Sequence, residues 1–296
     1  MALHPQGRAA VAAYEKEPKV TDPDFDIDAS RAEARAVAAA QPREDVAEVR
    51  DVDADGVRCR LYRPAGSDGP AEGLIVHLHG GGFVFHDIDV HDAAARRLAN
   101  RSGLAVLSVD YRRPPEHPFP AAPDDVDTVL RWLASSELAE LPVLVHGDSA
   151  GGNLALVAAL RNPGRFAGVA LIYPFLDPSA GFSSYRTAAD AFDAEEAAWY
   201  WQQYAAHPAD LANPDLAPLL SDRLGTLPPT LVVTAEHDPL RDEGEELVRR
   251  LAEEGVLVVG TRYLGQVHGF WRHADVFDAA EPLTGQVAAF LRQRLR

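Results

Sequence analysis

The stretch Gly147-Asp148-Ser149-Ala150-Gly151-Gly152 organises this chain. The apolar run Leu141 to Val145 before it predicts a short buried strand, and the run Asn153 to Leu160 after it predicts a buried helix. A Gly-x-Ser-x-Gly sequence between a strand and a helix is typical of a sharp turn that presents the serine as a nucleophile. Its glycines are needed because a Cβ would collide with a neighbouring strand or helix. Ser149 is therefore the candidate nucleophile, and the N–H of Ala150 at the helix start is a candidate donor to an oxyanion.

The composition is that of a globular chain with a sizeable core. Its 296 residues, 47% of them hydrophobic, suffice for one large α/β domain or two smaller ones. No apolar run reaches the roughly 18 residues that span a bilayer, and the N-terminus lacks the apolar core of a signal peptide. We therefore expect a cytoplasmic protein without a membrane span. The single cysteine, Cys59, excludes an intrachain disulfide and a cysteine-based metal site.

The charge balance narrows the classes of partner. The formal net charge is −17, which argues against a nucleic-acid partner because phosphate binding needs basic patches. It argues more weakly against anionic substrates and anionic membranes. The only two lysines, Lys16 and Lys19, lie in a polar N-terminal segment, so a lysine nucleophile or Schiff base is not expected.

Strands and helices alternate along most of the chain, which predicts an α/β fold with a mostly parallel central sheet flanked by helices. Residues 1–45 carry two Ala-rich helical patterns and are predicted to form an N-terminal helical cap segment. Residues 46–296 are predicted to form the catalytic domain, which opens with a hairpin over Val46 to Tyr62. The aromatic-rich, irregular stretch around 174–228 is interpreted as a cap insertion, with a helical packing layer as the alternative. The later predicted strands are Leu74 to Leu78, Leu104 to Val109, Gly168 to Tyr173, Thr230 to Thr234 and Val256 to Tyr263.

Four chemically distinctive segments follow predicted strands, where open parallel sheets place their sites. They are His79 to Phe83, Gly147 to Gly152, Glu236 to Asp242 and Gly265 to Phe270. The three glycines Gly80-Gly81-Gly82 allow backbone N–H groups to turn inward and to supply further oxyanion donors. A flexible turn is the alternative. A phosphate-binding loop is disfavoured because the lysine of a Walker loop and the G-x-G-x-x-G spacing are both missing.

A general base and an orienting acid are needed beside the serine. His268 follows a predicted strand and comes after both the serine and the candidate acids, in the order Ser…Asp…His, which is one of the orders in which a Ser–His–Asp triad occurs along a chain. Asp238 comes shortly after another strand, where it can accept a hydrogen bond from the imidazole. Glu236 and Asp242 lie close to it in the sequence and compete for the same role.

Together these segments resemble the hormone-sensitive-lipase-like family of α/β-hydrolase carboxylesterases. The matching stretches, which span residues 79 to 270 in the family's order, are His79-Gly80-Gly81-Gly82-Phe83, Asp110-Tyr111-Arg112, Glu116 to Ala122, Gly147 to Gly152, Asp238 to Gly244 and His268-Gly269-Phe270. The resemblance favours Asp238 as the acid and implies the triad Ser149, Asp238 and His268. It also implies an oxyanion hole from the N–H groups of Gly81, Gly82 and Ala150.

The resemblance further implies an α/β-hydrolase fold with a helical cap, and a serine carboxylesterase that hydrolyses short-to-medium acyl esters. No cofactor and no metal are implied, the partner is a small-molecule ester, and a homodimer through the last strand and helix is conceivable by resemblance alone. The aromatic candidates for the pocket wall are Phe83, Phe192, Trp199 and Tyr200, with core packing as the alternative for each.

The sequence also leaves room for three other functions. A metal-dependent hydrolase could use His77 and His79 on one face of a strand, with ligand types between His86 and Asp92, but no carboxylate–histidine pair is near them in sequence. A catalytically silent receptor on the same scaffold usually lacks a triad residue, and all three are present. An amidase or lyase on this scaffold stays open, because the same turn and oxyanion donors serve any acyl transfer.

Overall fold

The computed structural model describes residues 2–67, 69–190 and 192–296. Met1, in the predicted N-terminal segment, and Asp68 and Ala191, in the predicted catalytic domain, lie outside the described residues. The strands are β1 (Glu48–Ala54), β2 (Val57–Arg63), β3 (Leu74–Leu78), β4 (Ala105–Val109), β5 (Val143–Asp148), β6 (Val169–Ile172), β7 (Thr230–His237) and β8 (Val258–Val267). The α-helices are α1 (Pro5–Tyr14), α2 (Ile27–Ala39), α3 (Asp92–Ser102), α4 (Ala121–Leu133), α5 (Ala150–Arg161), α6 (Ser184–Thr187), α7 (Ala194–Tyr204), α8 (Arg241–Glu253) and α9 (Ala280–Gln293).

The eight strands form one sheet in the order β1-β2-β4-β3-β5-β6-β7-β8. Strand β2 pairs antiparallel with β1 and with β4, and every later pair is parallel. The predicted hairpin forms through Asp55 and Gly56, which have φ angles of 53° and 92°, as a two-residue hairpin turn requires. The predicted mostly parallel α/β fold is confirmed. Its parallel strands bring the four distinctive segments to one edge of the sheet.

Helices cover both faces of the sheet. Because successive side chains of a strand point to opposite faces, each strand contributes side chains to two separate cores. In β3, Leu74, Val76 and Leu78 belong to one core, whereas Ile75 belongs to the other. Helices α4, α5 and α8 complete the first core, and α3 and α9 complete the second. Because both faces are covered, the central strands are apolar on both sides, which explains their continuous apolar runs in the sequence.

Three strand or helix boundaries at the site differ from the predicted ones. Strand β5 continues through Gly147 and Asp148, because the ladder to β3 and β6 pairs these residues despite glycine's low strand propensity. Helix α5 begins at Ala150 and so includes Gly151 and Gly152. Strand β8 runs on to Val267, which pairs with His237 after a register shift in β7. His268 therefore follows its strand directly.

The N-terminal segment packs over the strand ends. Arg31 of α2 donates to the carbonyl oxygens of Val84 (3.0 Å) and Pro114 (2.7 Å) and forms an ion pair with Glu116 at 2.6 Å. In α1, the Tyr14 hydroxyl donates to Glu196 of α7 at 2.5 Å. These contacts tie both N-terminal helices to the sheet edge that carries the distinctive segments. Across the described ranges, no helix is long and apolar enough to cross a bilayer.

Replacement of Gly151 by alanine should lower the free energy of unfolding by about 1–3 kcal/mol, because the new Cβ would overlap the carbonyl oxygens of Leu78 and His79. Gly285 provides the matched control, since it lies inside α9 and an added Cβ there meets no atom within 4 Å. Gly285→Ala should raise the free energy by about 0.5–1 kcal/mol through helix propensity and a less flexible unfolded chain. Urea unfolding of both variants measures these changes, and equal effects would contradict the predicted close approach.

Candidate active site

Ser149 lies at the turn between β5 and α5 with φ 55° and ψ −122°, a backbone conformation that non-glycine residues rarely adopt. Its N–H donates to Ile172 of β6 (2.9 Å), and its carbonyl accepts from Phe175 (3.1 Å), so neighbouring backbone holds the turn. A Cβ on Gly147 would overlap the backbone of Gly151, which is why the motif needs glycine on both sides of the serine. The strained turn holds the serine side chain at the carboxyl end of the central strand.

A continuous chain of hydrogen bonds joins Ser149, His268 and Asp238. His268 Nε2 lies 2.9 Å from Ser149 Oγ, and His268 Nδ1 lies 2.8 Å from Asp238 Oδ2. Asp238 is fully buried, and its other oxygen accepts from the N–H of Leu240 at 2.8 Å. Since a carboxylate accepts, Nδ1 carries the proton, and the lone pair of Nε2 faces the serine hydroxyl. The structure thus brings together the three residues that the sequence set apart by up to 119 positions.

The two competing acids lie elsewhere. Glu236 accepts from the N–H of Gly265 at 2.7 Å, at the end of β8. Asp242 accepts from the Ser183 hydroxyl at 2.6 Å and the Ser184 N–H at 2.9 Å, at the start of α8. Both carboxylates therefore fix loops beside the site and make no hydrogen bond to His268.

The glycine loop after β3 presents backbone N–H groups to the same cavity as the serine. Gly81 and Gly82 have φ angles of 120° and 58°, and among the described residues neither N–H has an acceptor. A Cβ on Gly81 would overlap Phe85 backbone, and one on Gly82 would overlap the Tyr200 ring. Ala150 is the first residue of α5, so its N–H has no acceptor within the helix. All three N–H groups are therefore available to an oxyanion.

Asp148 connects the glycine loop to the serine turn. Its Oδ1 accepts from the N–H of Gly80 at 3.0 Å, and the residue is 2% exposed. Burial raises the pKa of Asp148 to about 6, against the opposing charge of Arg272 and the Gly80 hydrogen bond. The Asp148 carboxylate thereby positions the glycine loop beside the candidate nucleophile Ser149, which is the next residue in the chain.

A cavity of about 690 Å³ opens over Ser149 and His268. Gly81 and Gly82 lie in its wall, together with side chains from α1, α2 and the loop after β8. Of the four aromatic candidates, Phe192 and Tyr200 line this cavity, and Phe192 also packs edge-on against the His268 ring at 5.1 Å. Five further aromatic side chains that the sequence interpretation missed line the cavity as well: Tyr14, Phe25, Phe85, Phe175 and Phe277. Phe85 and Phe175 come after the ends of strands β3 and β6, and that position is the signal that could have identified these two.

The other two aromatic candidates lie outside the cavity wall. Phe83 is fully buried and stacks on Tyr204 at 3.8 Å between ring centroids, inside the first core. Trp199 stacks on Phe85 at 6.1 Å and packs edge-on against Phe25 of the N-terminal segment. Their placement agrees with the packing alternative, because each ring packs against neighbouring rings and does not face the open cavity.

Buried histidines lie under the glycine loop and are the groups that could hold a metal. Among the described residues, His77, His91 and Asp148 offer ligand atoms within 4.8 Å of one another. The sequence argument missed this group because Asp148 comes from a different strand. Two imidazoles and a carboxylate suit zinc or iron. The positive charge of Arg272, which acts on both His91 and Asp148, opposes a second positive charge there.

These histidines form a neutral polar network. His77 Nδ1 lies 3.0 Å from His146 Nδ1, so one ring donates and the other accepts. Burial lowers the pKa of His77 to about 3 and that of His146 well below its usual value. The folded protein therefore holds both rings uncharged at neutral pH.

Known proteins similar to this chain are hydrolases. The profile of a family described as having the alpha/beta hydrolase fold matches residues 75–272. The carboxylic ester hydrolase LipN of Mycobacterium tuberculosis is 38% identical over 92% of this chain and 77% of its own. The ethyl acetate hydrolase of Pseudomonas putida is 35% identical over 80% of this chain and 78% of its own. The crystal structure of an esterase from the bacterial hormone-sensitive lipase family superposes with a TM-score of 0.88 at 26% identity, covering 100% of both chains.

The low pKa of His77 predicts a loss of stability in acid. Between pH 6.5 and about 3 the unfolded chain binds a proton at this residue that the folded chain does not, so stability decreases as the pH decreases through this range. His77→Gln removes one such group and should reduce the slope of unfolding free energy between pH 6 and 4 by up to about 1.4 kcal/mol per pH unit. Urea unfolding at several pH values measures the slope. The exposed His207→Gln should keep the wild-type slope, and an unchanged slope in His77→Gln would contradict the assignment.

Proposed function

This chain belongs to the α/β-hydrolase family, within the hormone-sensitive-lipase-like group of carboxylic ester hydrolases, and from that premise we propose that Ser149, His268 and Asp238 are its catalytic triad. The chain is a carboxylic ester hydrolase. The observation that carries the proposed triad is the unbroken pair of hydrogen bonds, 2.9 Å and 2.8 Å, from the serine through the imidazole to the buried carboxylate.

In the first half of the proposed reaction, Ser149 Oγ attacks the ester carbonyl carbon while His268 Nε2 removes the hydroxyl proton. The negative charge that develops on the carbonyl oxygen is stabilised by the N–H groups of Gly81, Gly82 and Ala150. Asp238 stabilises the imidazolium because its carboxylate accepts from Nδ1–H. His268 then protonates the departing alkoxide, which leaves as the alcohol, and an acyl ester of the serine remains.

The second half repeats these steps with water. His268 removes a proton from water as it attacks the acyl carbon, the same three N–H groups stabilise the oxyanion, and the proton returns to Ser149 Oγ as the acid leaves. The proposed steps use no metal and no organic cofactor. An alkoxide needs less help from a proton donor than an amine does, so the arrangement favours esters over amides.

The alternative of a silent binding protein is less well supported than hydrolysis. Such proteins usually lack a triad residue, whereas here all three side chains are present and hydrogen-bonded in sequence. A cytoplasmic location and a homodimer stay predictions from the sequence.

We also propose that residues 1–45 and the insertion around 174–228 together form the cap that limits substrate size. Supporting this, Val20 packs with Val84 and Phe85 in a small apolar cluster against which Phe25, Ile27, Trp199 and Tyr200 are packed. Side chains of α1 and α2 also line the cavity over the serine. A cavity of about 690 Å³ lined in part by this cap suits short-to-medium acyl chains, and the similar Pseudomonas putida protein is an ethyl acetate hydrolase.

Ser149→Ala should lower kcat for p-nitrophenyl acetate by about 10⁴-fold or more, because no other group can form the acyl ester. Asp238→Asn should lower kcat on a similar scale, since an amide that donates to Nδ1 would select the wrong imidazole tautomer. Steady-state hydrolysis followed by p-nitrophenolate release measures both effects.

The exposed Ser135→Ala variant is the matched control and should keep wild-type turnover. Thermal unfolding of every variant separates a chemical effect from misfolding. Wild-type turnover in a folded Ser149→Ala would contradict the proposed nucleophile.

A substitution on α1 tests the proposed cap. Ala10 lines the cavity, whereas Ala12, two residues along the same helix, does not. Ala10→Leu should reduce kcat/KM for p-nitrophenyl octanoate more than for the acetate, because the added side chain takes space that only the longer chain uses. The ratio of the two kcat/KM values is the measurement. Ala12→Leu should leave this ratio at its wild-type value, and an equal ratio in both variants would argue against α1 as a wall of the acyl site.

A further inference from the structure

Arg272 occupies an unusual place beside the proposed triad. It ends the short turn Phe270–Arg272, four residues after His268. It lines the cavity over Ser149 and also an adjoining cavity of about 510 Å³ under α2. The residue therefore lies where the two cavities meet.

Within the part of the chain that the structure describes, the guanidinium of Arg272 has no hydrogen-bond or ion-pair partner. Among the described residues it donates no hydrogen bond and forms no ion pair within 4.0 Å, unlike Arg112, which forms a two-pronged pair with Asp125 at 2.8 and 3.0 Å. Burial lowers the pKa of Arg272, and the charge of Asp148 is the largest effect that opposes this shift. An arginine in a partly buried wall with no carboxylate within ion-pair distance leaves five strong donors unused, which is costly unless a ligand or water accepts from them.

The surroundings do not neutralise this charge by contact. Asp148 is the opposing charge with the largest effect on Arg272, but its Oδ1 accepts the hydrogen bond of the Gly80 N–H. The histidines that feel the charge of Arg272 are His86, His91 and His273, and each has a lowered pKa, which keeps it uncharged near neutral pH. Tyr173 also faces it and stays protonated because its pKa is raised. The cavity junction therefore carries an accessible positive charge in a low-dielectric wall.

We propose that Arg272 binds a carboxylate carried by the substrate, so that esters bearing a free carboxylate are the preferred class. A planar guanidinium matches a carboxylate with two parallel hydrogen bonds, and such charge-assisted pairs are among the strongest that side chains make. The proposal rests on the proposed function, because the same cavity holds Ser149. The ester carbonyl would lie at the serine while the carboxylate extends toward the cavity junction.

The net charge of −17 repels esters that bear a carboxylate only at long range. At physiological ionic strength, exposed charges farther away than about 8 Å are largely screened. Arg272, in contrast, acts at hydrogen-bond distance inside the wall. Local contact can therefore outweigh the overall charge once the substrate has entered.

Two pairs of esters test the proposal and distinguish the side of the ester that carries the carboxylate. Monoethyl adipate is compared with its neutral isostere ethyl 6-methylheptanoate, which places the charge on the acyl side. The acetyl ester of 4-hydroxybutanoate is compared with 4-methylpentyl acetate, which places it on the alcohol side. Titration of released acid at pH 8 and constant ionic strength gives kcat and KM for every ester.

In at least one pair, the charged-to-neutral ratio of kcat/KM should fall on the order of 10- to 100-fold from the wild type to Arg272→Met, mainly through KM. Arg272→Lys should give an intermediate ratio, because it keeps the charge but loses the two-pronged geometry. Arg131→Met, on the exposed face of α4, is the matched control and should keep the wild-type ratio.

Equal ratios in the wild type and a folded Arg272→Met, in both pairs, would overturn the proposal and leave the esterase function intact. If Arg272→Met fails to fold, the wild-type enzyme provides the test. A lower kcat/KM for the charged ester than for its neutral isostere in both pairs would overturn the proposal. Failure of the wild type to hydrolyse any of the four esters would instead contradict the proposed function itself.

Discussion

The close approach of the β5–α5 turn to strand β3 is the constraint on which the site depends. Gly151 lies so near the Leu78 carbonyl that no side chain fits between them, and Ser149 takes a backbone conformation that is unfavourable without that support. The strain is stabilised by ladder hydrogen bonds on both sides, from β3 and β6. Because the turn is held from both sides, the serine side chain has a defined direction before any substrate binds.

The buried ionisable side chains around this turn differ in how the protein compensates their burial. Asp238 is buried, and its two oxygens accept hydrogen bonds from the His268 imidazole and the Leu240 N–H, as the proposed role of orienting the base requires. Asp148 is buried with a raised pKa and orders the glycine loop through Gly80. The histidine pair His77 and His146 stays neutral, because desolvation is the largest effect that lowers the pKa of each ring. Of these groups, Arg272 alone has no hydrogen-bond or ion-pair partner among the described residues, and this is why we propose a ligand for it.

Aromatic side chains of the proposed cap and of the glycine loop take different roles beside the site. Phe192 and Tyr200 line the cavity, whereas Phe83 and Trp199 are covered by other rings. Composition predicted an aromatic-rich segment near the site but could not rank its members. Which ring faces open space depends on how α7 lies against the glycine loop and the N-terminal segment, and those contacts are between residues far apart in the chain.

The sequence by itself determined the fold class, the nucleophile turn and the candidate base, because each depends on local chemistry: apolar periodicity, glycines at close approaches, and the order of segments after strands. Local chemistry left Glu236, Asp238 and Asp242 open as the acid, because they are near neighbours in the chain, and the family resemblance favoured Asp238. The tertiary structure then supplied the physical reason, since Asp238 is the carboxylate that lies 2.8 Å from His268 Nδ1. It also decided that Gly147 and Asp148 belong to β5 and that Asp148 lies beside His91, Gly80 and Arg272. Those features depend on strand pairing and burial, which act between distant segments and leave no periodic signal in the sequence.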